Sequence, residues 1–426
     1  MSTPYQKNAK TPSGPIASTP AGATWGGFRG LLKRYAGAAA GYSLRKIGSG
    51  PVVRLRRASD NAEKDFAAGE VVAGTAGAEL VTNGDFATDS DWTKSANWTI
   101  TGGQAVSDGT VNFGAVSQNG IISGEAGVYY KITFTIVACS DFAGAGTLIN
   151  SNIVQGFSGS WQITSAGTYS AIFKTTGSNT NFRFYTGAGV TMTLDDVSCV
   201  PYTPSAAELW ALDGKARQAR QATESAYATT WYDQSGSGND ATQATAAAQP
   251  LLIRAGVTNT VNGKAALSFD GVDDRLIMPA SIEAAGSFCI SAVSRSAQTA
   301  TVTRLLDASP ENEFFRDQAS LSEVEQWVGG AGGPFKTTIV GRNCLVQNLL
   351  TYERTSSTDG FAYSNGTSPT AQTYGSGTMS VDSIGVYDAI TQNFVGDVQE
   401  IIIYDSDQSA NRTGIETNIN DHYGIY

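Results

Sequence analysis

Carboxylates are the side chains of this chain best suited to chemistry. Asp270, Asp273, Asp274, Glu311, Glu313, Glu353 and Glu400 all fall in its C-terminal half. Two carboxyl groups about 5–5.5 Å apart would act as nucleophile and acid/base on a glycosidic bond, and sequence spacing alone does not pair them. His422 is the single histidine and lies in the last five residues, which leaves no credible Ser/His/Asp triad. Cys139, Cys199, Cys289 and Cys344 lie far apart with no CxxC spacing, an arrangement that argues against zinc. They read as buried free thiols, with a bridge inside each half of the chain as the alternative. A further stretch, "TTWYDQSGSGNDATQ" at 229–243, sets a Trp-Tyr pair before carboxamides, carboxylates and turn formers. Such residue types suit a catalytic loop, a sugar-contacting loop, or a structural corner. In a corner, Trp231 and Tyr232 fill core or cleft positions while Asp233, Ser235, Asn239 and Asp240 cap the turn that Gly236 and Gly238 permit.

The elements that must position these groups are short strands. Among 426 residues there are 48 glycines and only 15% charged side chains, a balance suited to β-sandwiches. "GVYYKITFTIVA", "GTYSAIFKTTG" and "NTNFRFYTG" alternate with period two between Gly, Asn and Ser punctuation. "KAALSFDGVDDRLIMP", "NCLVQNLLTYER" and "VGDVQEIIIYD" carry the same signal further on. The fold class predicted is all-β: two antiparallel β-sandwich domains of jelly-roll or concanavalin-A-like type. The C-terminal "SANRTGIETNINDHYGIY" predicts one short helix with Ile415, Ile419 and Tyr423 on one side. No apolar run is long enough to span a membrane, and no apolar leader opens the chain.

Charge is distributed unevenly. The net charge of −10 divides into eleven Lys/Arg against Asp60 and Glu63 in residues 1–64, and 17 basic against 36 acidic side chains in the rest. In "VVRLRRAS" the basic residues alternate with apolar ones, the pattern of a strand with one solvated face, so nucleic acid is not the expected partner. Residues 1–24 are polar and contain three prolines, which predicts an extended segment. Trp25, Phe28, Leu31 and Tyr35 follow at helical spacing, with Arg29 among them. Such a helix either packs on the following domain or anchors the chain in a larger particle.

"TTWYDQSGSGNDATQ" followed by "FDGVDDRL" resembles the concanavalin-A-like domain of the α-L-arabinofuranosidase B type, versions of which occur in bacteriophage structural proteins. "GYSLRKIGSGPVVRLRRASDNAEKDF" is similar to the segment that precedes this domain in the phage proteins. "AELVTNGDFATDSDW" through "LDDVSCV" resembles a jelly-roll carbohydrate-binding module common in phage tail and fibre proteins. These resemblances imply a split domain. Residues 1–40 would be a particle anchor, 41–75 the first part of the lectin-like domain, 76–203 an inserted module, and 204–426 the remainder.

The implied function is binding of host-surface polysaccharide by a virion fibre or spike, a homo-oligomer of several identical chains. Its partners would be other particle proteins through the N-terminus, with no membrane insertion. A glycan-cleaving depolymerase and a purely architectural decoration protein are the alternatives. Arabinofuranosidases of this type place adjacent cysteines under the substrate, and no two cysteines are adjacent here. Aromatic faces stack on sugars, so Trp92, Trp98, Trp161 and Tyr185 in the module and Trp327, Tyr352 and Tyr363 in the larger domain are candidate contacts. The module resemblance also implies a structural calcium between first and last strands, held by Asp85 with Asp195 or Asp196. The acidic residue that commonly follows the "NGDF" turn is Ala87 here.

Overall fold

The computed structural model describes residues 30–141, 165–176, 181–212, 224–297, 303–308, 312–317, 323–327, 335–338, 343–356, 359–367, 372–373, 377–385 and 392–426. The chain is all-β apart from short helices, and its sheets are curled and antiparallel. Strand pairing separates a larger unit from a smaller one.

The larger unit is organised on the strand Val395–Tyr404, ten residues of which nine are buried. One edge of that strand pairs with Phe288–Ser296, which in turn pairs with Asn348–Arg354 and then Asp359–Ser364. Its other edge receives Ala40–Ser43 along one half and Leu267–Asp270 along the other. A second sheet runs from Glu63–Phe66 through Val53–Arg57 and Ala226–Trp231 to Ala241–Thr242, Leu276–Ala284, Met379–Ile384 and Thr303–Ala308. Apolar residues from both sheets, among them Tyr42, Leu55, Trp231, Phe269, Phe288 and Ile401, close one core. Residues 40–66 thus supply strands to both sheets, and Val53–Arg57 meets its partner Ala226–Trp231 some 170 residues further along the chain.

Outside the first sheet lies the helix Arg412–Tyr423. Its Ile415, Ile419 and Tyr423 pack with Leu349, Ile402 and Tyr404 of the sheet and with Leu31 and Leu32 of a one-turn helix, Leu31–Arg34. Tyr404 donates its hydroxyl hydrogen to the Tyr35 carbonyl at 2.8 Å. Leu31 and Tyr35 therefore pack on their own domain. This corrects the expectation that they project as particle anchors: the apolar side of the C-terminal helix needs cover, and they supply it. Trp25, Phe28 and Arg29 lie outside the described residues.

The smaller unit has a five-strand sheet in the order 167–176, 126–139, 192–203, 104–107, 98–101, with Thr75–Ala76 also pairing the end of Met192–Thr203. A three-strand sheet, Asn181–Thr186, Gly114–Asn119 and Thr93–Lys94, faces it. Phe134, Phe182, Phe184, Trp92 and Trp98 fill the space between. The chain enters and leaves this unit side by side, since Thr75 pairs with Thr203, Ala76 with Tyr202, and Gly77 N–H donates to the Pro201 carbonyl at 2.7 Å. The helix Ala206–Leu212 follows at once. Ser205 and Glu208 cap it reciprocally: Ser205 N–H donates to Glu208 Oε2 at 2.8 Å, and Glu208 N–H to Ser205 Oγ at 3.2 Å. Glu208 also accepts from Tyr202 Oη and from Thr258 N–H, which joins the two units.

The 229–243 stretch forms a corner. Trp231 is fully buried against Tyr42, ring centroids 5.7 Å apart. The Asp233 carboxylate accepts from Gly41 N–H, Ser235 N–H, Ser235 Oγ and Asn239 N–H, all within 2.8–3.1 Å. Asp240 accepts from Asp233 N–H at 2.8 Å, and Asn239 Nδ2 donates to the Ala39 carbonyl. Gln234 spans the gap to 43–48, its Oε1 accepting from Ile47 N–H and its Nε2 donating to the Ser43 and Arg45 carbonyls. Gly48 has to be glycine, because a Cβ there would sit 1.8 Å from the Gln234 carbonyl oxygen. Replacing Asp233 by Ala strands several donors at once, each worth about 1–3 kcal/mol when buried and unpaired. Asp233→Ala is therefore expected to lower stability by at least about 2 kcal/mol in urea unfolding, and Asp240→Ala, which loses one accepted bond, by about 1 kcal/mol.

Candidate functional site

Most of the candidate sugar-contacting aromatics are structural. Trp92 and Trp98 lie in the core of the smaller unit and satisfy their indole N–H groups on the Asn83 and Gly114 carbonyls, each at 2.9 Å. Tyr352 is 1% exposed and belongs to the larger core. Tyr363 is buried beneath Arg412, whose guanidinium carbon stands 3.8 Å from its ring centroid, and its hydroxyl reaches Glu353. These four are corrected to core positions. Each sits on the inward side of its strand or loop, where a large ring has more area to bury than a sugar contact requires. Trp161 lies outside the described residues, and Trp327 ends the strand Glu323–Trp327.

Tyr185 differs. The strand Asn181–Thr186 alternates intermediate and buried positions, so Phe182, Phe184 and Thr186 point inward while Asn181, Arg183 and Tyr185 share the outer face. Across the ladder Asn119, Ser117 and Ala115 stand opposite those three. Phe113 precedes this ladder and is 65% exposed. Its ring lies 5.8 Å from that of Tyr185, inclined at 59°. The backbone of Phe113 is left-handed, φ +58°, pinned by a 2.9 Å bond from its N–H to the Thr186 carbonyl. That conformation costs a non-glycine residue about 1 kcal/mol or more, and so exposed a ring recovers little of it by burial. Arg183 shares the outer face, with its Nε buried and making no hydrogen bond. An apolar ring and a phenol side by side can stack on a sugar ring, with the phenol hydroxyl supplying a polar contact to its oxygens.

The carboxylates of the larger unit differ in how far they are engaged, and Glu353 Oε1 and Glu416 Oε1 are buried with no hydrogen bond. Glu400 accepts two bonds from Arg45, 2.6 and 2.8 Å, and others from Ser43 and Tyr423. Glu353 and Glu416 lie under the C-terminal helix with Arg412 near both, and burial raises both carboxyls above their usual range. Glu311 lies outside the described residues, and Glu313 is in the strand Asn312–Asp317. Asp270, Asp273 and Asp274 bring their oxygens within 4.8 Å of one another, a grouping of three found among the described residues. Asp274 Oδ2 accepts from Asp270 N–H at 2.9 Å.

At the implied calcium position, Val197 N–H donates to the Gly84 carbonyl at 2.8 Å and brings the first and last segments of the smaller unit together. Asp85 is exposed and accepts from Ala87 N–H, while Asp195 is held by Gln104 Nε2 and by Asp196 N–H. All four cysteines are free thiols, three of them buried.

Phe113 and Arg183 escaped the sequence reading. The alternation in "NFRFYT" already places Arg183 beside Tyr185, whereas the exposure of Phe113 depends on a backbone angle that composition does not signal.

No protein-family model matches the chain, and no curated protein does. Solved structures similar to it include a GH54 α-L-arabinofuranosidase soaked with a cyclic sulfate inhibitor, at 10% identity and TM-score 0.42 over 91% of this chain and 64% of that one. Domain 4 of AbnA, a GH43 extracellular arabinanase from Geobacillus stearothermophilus in complex with arabinotriose, gives 14% identity and TM-score 0.28 over 36% of this chain and 77% of the other. Trypanosoma rangeli sialidase in complex with sialic acid gives 9% identity and TM-score 0.30 over 87% and 59%. The chain thus spans less than two thirds of the arabinofuranosidase and of the sialidase. These neighbours are domains of carbohydrate-active proteins.

Burial, and then the charges of Asp270 and Asp273, push the Asp274 carboxyl up to about 7. A raised carboxyl favours folding in its protonated form, so its contribution is full below the ordinary aspartate range and is lost as pH rises through about 7. Asp274→Asn keeps an acceptor for Asp270 N–H and removes the titration. The melting temperature of the variant relative to the native chain is expected to rise by a few degrees between about pH 5 and about pH 8.

Proposed function

We propose that this chain is a non-enzymatic, glycan-binding structural protein that displays the Phe113–Tyr185–Arg183 face to polysaccharide. One observation carries the reading: Phe113 holds an exposed ring on a left-handed backbone, next to a half-exposed tyrosine on the same sheet edge. Phe86 has a similar left-handed backbone but repays it by full burial in the core, whereas the Phe113 ring stays exposed and is available to a ligand. The engagement of Glu400 by Arg45 supports binding over cleavage.

The assembly in which this occurs is a phage or phage-derived particle, with the chain acting as a fibre or spike at its surface. Support for that part comes from the likeness of residues 41–66 and 229–243 to phage structural proteins. Residues upstream of Leu31, including Trp25, Phe28 and Arg29, make the attachment to other particle proteins. Several identical chains on one particle raise the effective concentration of weak sugar contacts.

A glycan array with the purified chain tests the reading. Tyr185→Ala is expected to abolish the array signal without lowering the melting temperature appreciably, because its ring is only half-buried. Phe113→Gly relieves the backbone and is expected to abolish binding with an equal or higher melting temperature. Undiminished binding by both variants would remove this face from the function.

A further inference from the structure

A second concave site lies on the larger unit. Leu44, Arg45 and Lys46, the turn at 68–73, the hairpin at 263–265 and the end of the C-terminal helix enclose about 350 Å³. That is within the size range of small-molecule sites, about 300–1,000 Å³. Its floor is apolar, from Leu44, Ala68 and Ala265, and its charged lining is entirely basic: Arg45, Lys46 and Lys264, with His422 beside them. Residues 65–426 are otherwise strongly acidic, so a basic lining runs against the surroundings.

The charges in this cleft differ in how far they are committed. Arg45 is spent, its Nε and one terminal nitrogen on Glu400 and the other on Asn418 at 3.0 Å. Lys46 and Lys264 have no acidic partner among the described residues. Of the carboxylates adjacent in sequence to the lining, Glu70 turns back to accept from Ala67 N–H, and Asp421 is exposed and is not part of the lining. Burial and the neighbouring Arg45 and Lys264 charges depress the His422 imidazole to about 4. His422 is thus neutral at ordinary pH and offers one donor and one acceptor rather than a charge. Two uncommitted ammonium groups, a neutral imidazole and an apolar floor complement a ligand with one anionic group and several hydroxyls on a compact ring.

We propose that this cleft binds an acidic sugar unit, a uronate whose carboxylate is taken by Lys46 and Lys264 and whose hydroxyls meet His422. The proposal rests on the glycan-binding reading above and adds to it a second subsite with its own ligand class. A polysaccharide carrying both neutral and uronate units would engage the two sites by different chemistry, stacking on the smaller unit and charge pairing on the larger.

The test uses the full chain and three probes in calorimetric titration: a galacturonate trimer, a galactose trimer of the same length, and inorganic phosphate. The galacturonate trimer is expected to bind and to weaken as salt is raised, because exposed charge pairs are screened. Lys46→Met with Lys264→Met is expected to weaken it at least about tenfold, the loss of charge-assisted hydrogen bonds, with an unchanged melting temperature. Gly69 borders the cleft with open space where its Cβ would be, so Gly69→Glu places a competing carboxylate there without disturbing the fold, and should weaken binding similarly. Tyr185→Ala should leave uronate affinity at this cleft intact. Uronate affinity that survives the double lysine variant would overturn the assignment, as would a native chain that binds neutral glycans on the array and ignores the galacturonate trimer. Lysine-dependent binding of phosphate without the trimer would assign the cleft to a free inorganic anion and overturn the sugar. Loss of the neutral-glycan signal in Tyr185→Ala, with uronate binding retained, marks the two sites as independent.

Discussion

The carboxylate of Asp233 is the constraint on which the larger unit depends. It gathers a backbone donor from Gly41 and three donors from its own loop, and so fixes the strand Ala40–Ser43 against a corner that follows it by almost two hundred residues. Bringing such distant segments together has an entropic cost that grows slowly with loop length. The cost is reduced because the smaller unit folds within the intervening stretch and brings its own ends side by side at Thr75–Ala76 and Tyr202–Thr203. The loop that Asp233 must close is then short in effect. Trp231, buried on Tyr42, adds apolar area at the same corner, and Gln234 fixes the chain from Ser43 to Gly48 that goes on to line the basic cleft.

The two candidate sites take their character from where each lies relative to a core. On the smaller unit, the strand Asn181–Thr186 alternates between a phenylalanine core and an outer face, so Tyr185 and Arg183 are held on a sheet, while Phe113 stands on the turn that leads into the neighbouring strand. On the larger unit, the cleft is rimmed by four segments, three of which the fold visibly fixes for other reasons. The loop after Ala40–Ser43 is set by Gln234, the hairpin at 260–265 by Gln399, and the helix end by the apolar contacts of Tyr423. The Arg45–Glu400 pair holds this arrangement from below and leaves the two lysines unpaired above it.

Much of the fold was legible in the residues. Period-two alternation identified the strands at 126–139, 167–176 and 181–186, and the Ile415, Ile419, Tyr423 spacing identified the helix and its buried side. The sites were less legible. Aromatic residue type does not distinguish a ring that closes a core from one that meets a ligand; Trp92 and Trp98 look like platforms in sequence and serve as core with both indole N–H groups satisfied by backbone. The decisive features of Phe113 are a dihedral angle and an exposure, both set by the turn that precedes its strand. The basic cleft draws its cations from segments more than two hundred residues apart, a proximity that no local pattern records. Leu31 and Tyr35 show the reverse difficulty: their helical spacing was evident, while the partner that covers them is the far end of the same chain.

The junction between the units has a consequence for how such a protein can diversify. Thr75–Ala76 and Tyr202–Thr203 meet through main-chain hydrogen bonds, and Tyr202 is the one residue of the pairing whose hydroxyl reaches the Glu208 cap beyond it. A main-chain clasp reads almost no side-chain identity. Any compact sandwich whose two ends emerge as neighbouring antiparallel strands would satisfy the same clasp and leave the Asp233 corner undisturbed. The smaller unit is in that sense a cassette: it can be exchanged whole, by recombination at two short strands, while the larger unit keeps its core and its basic cleft.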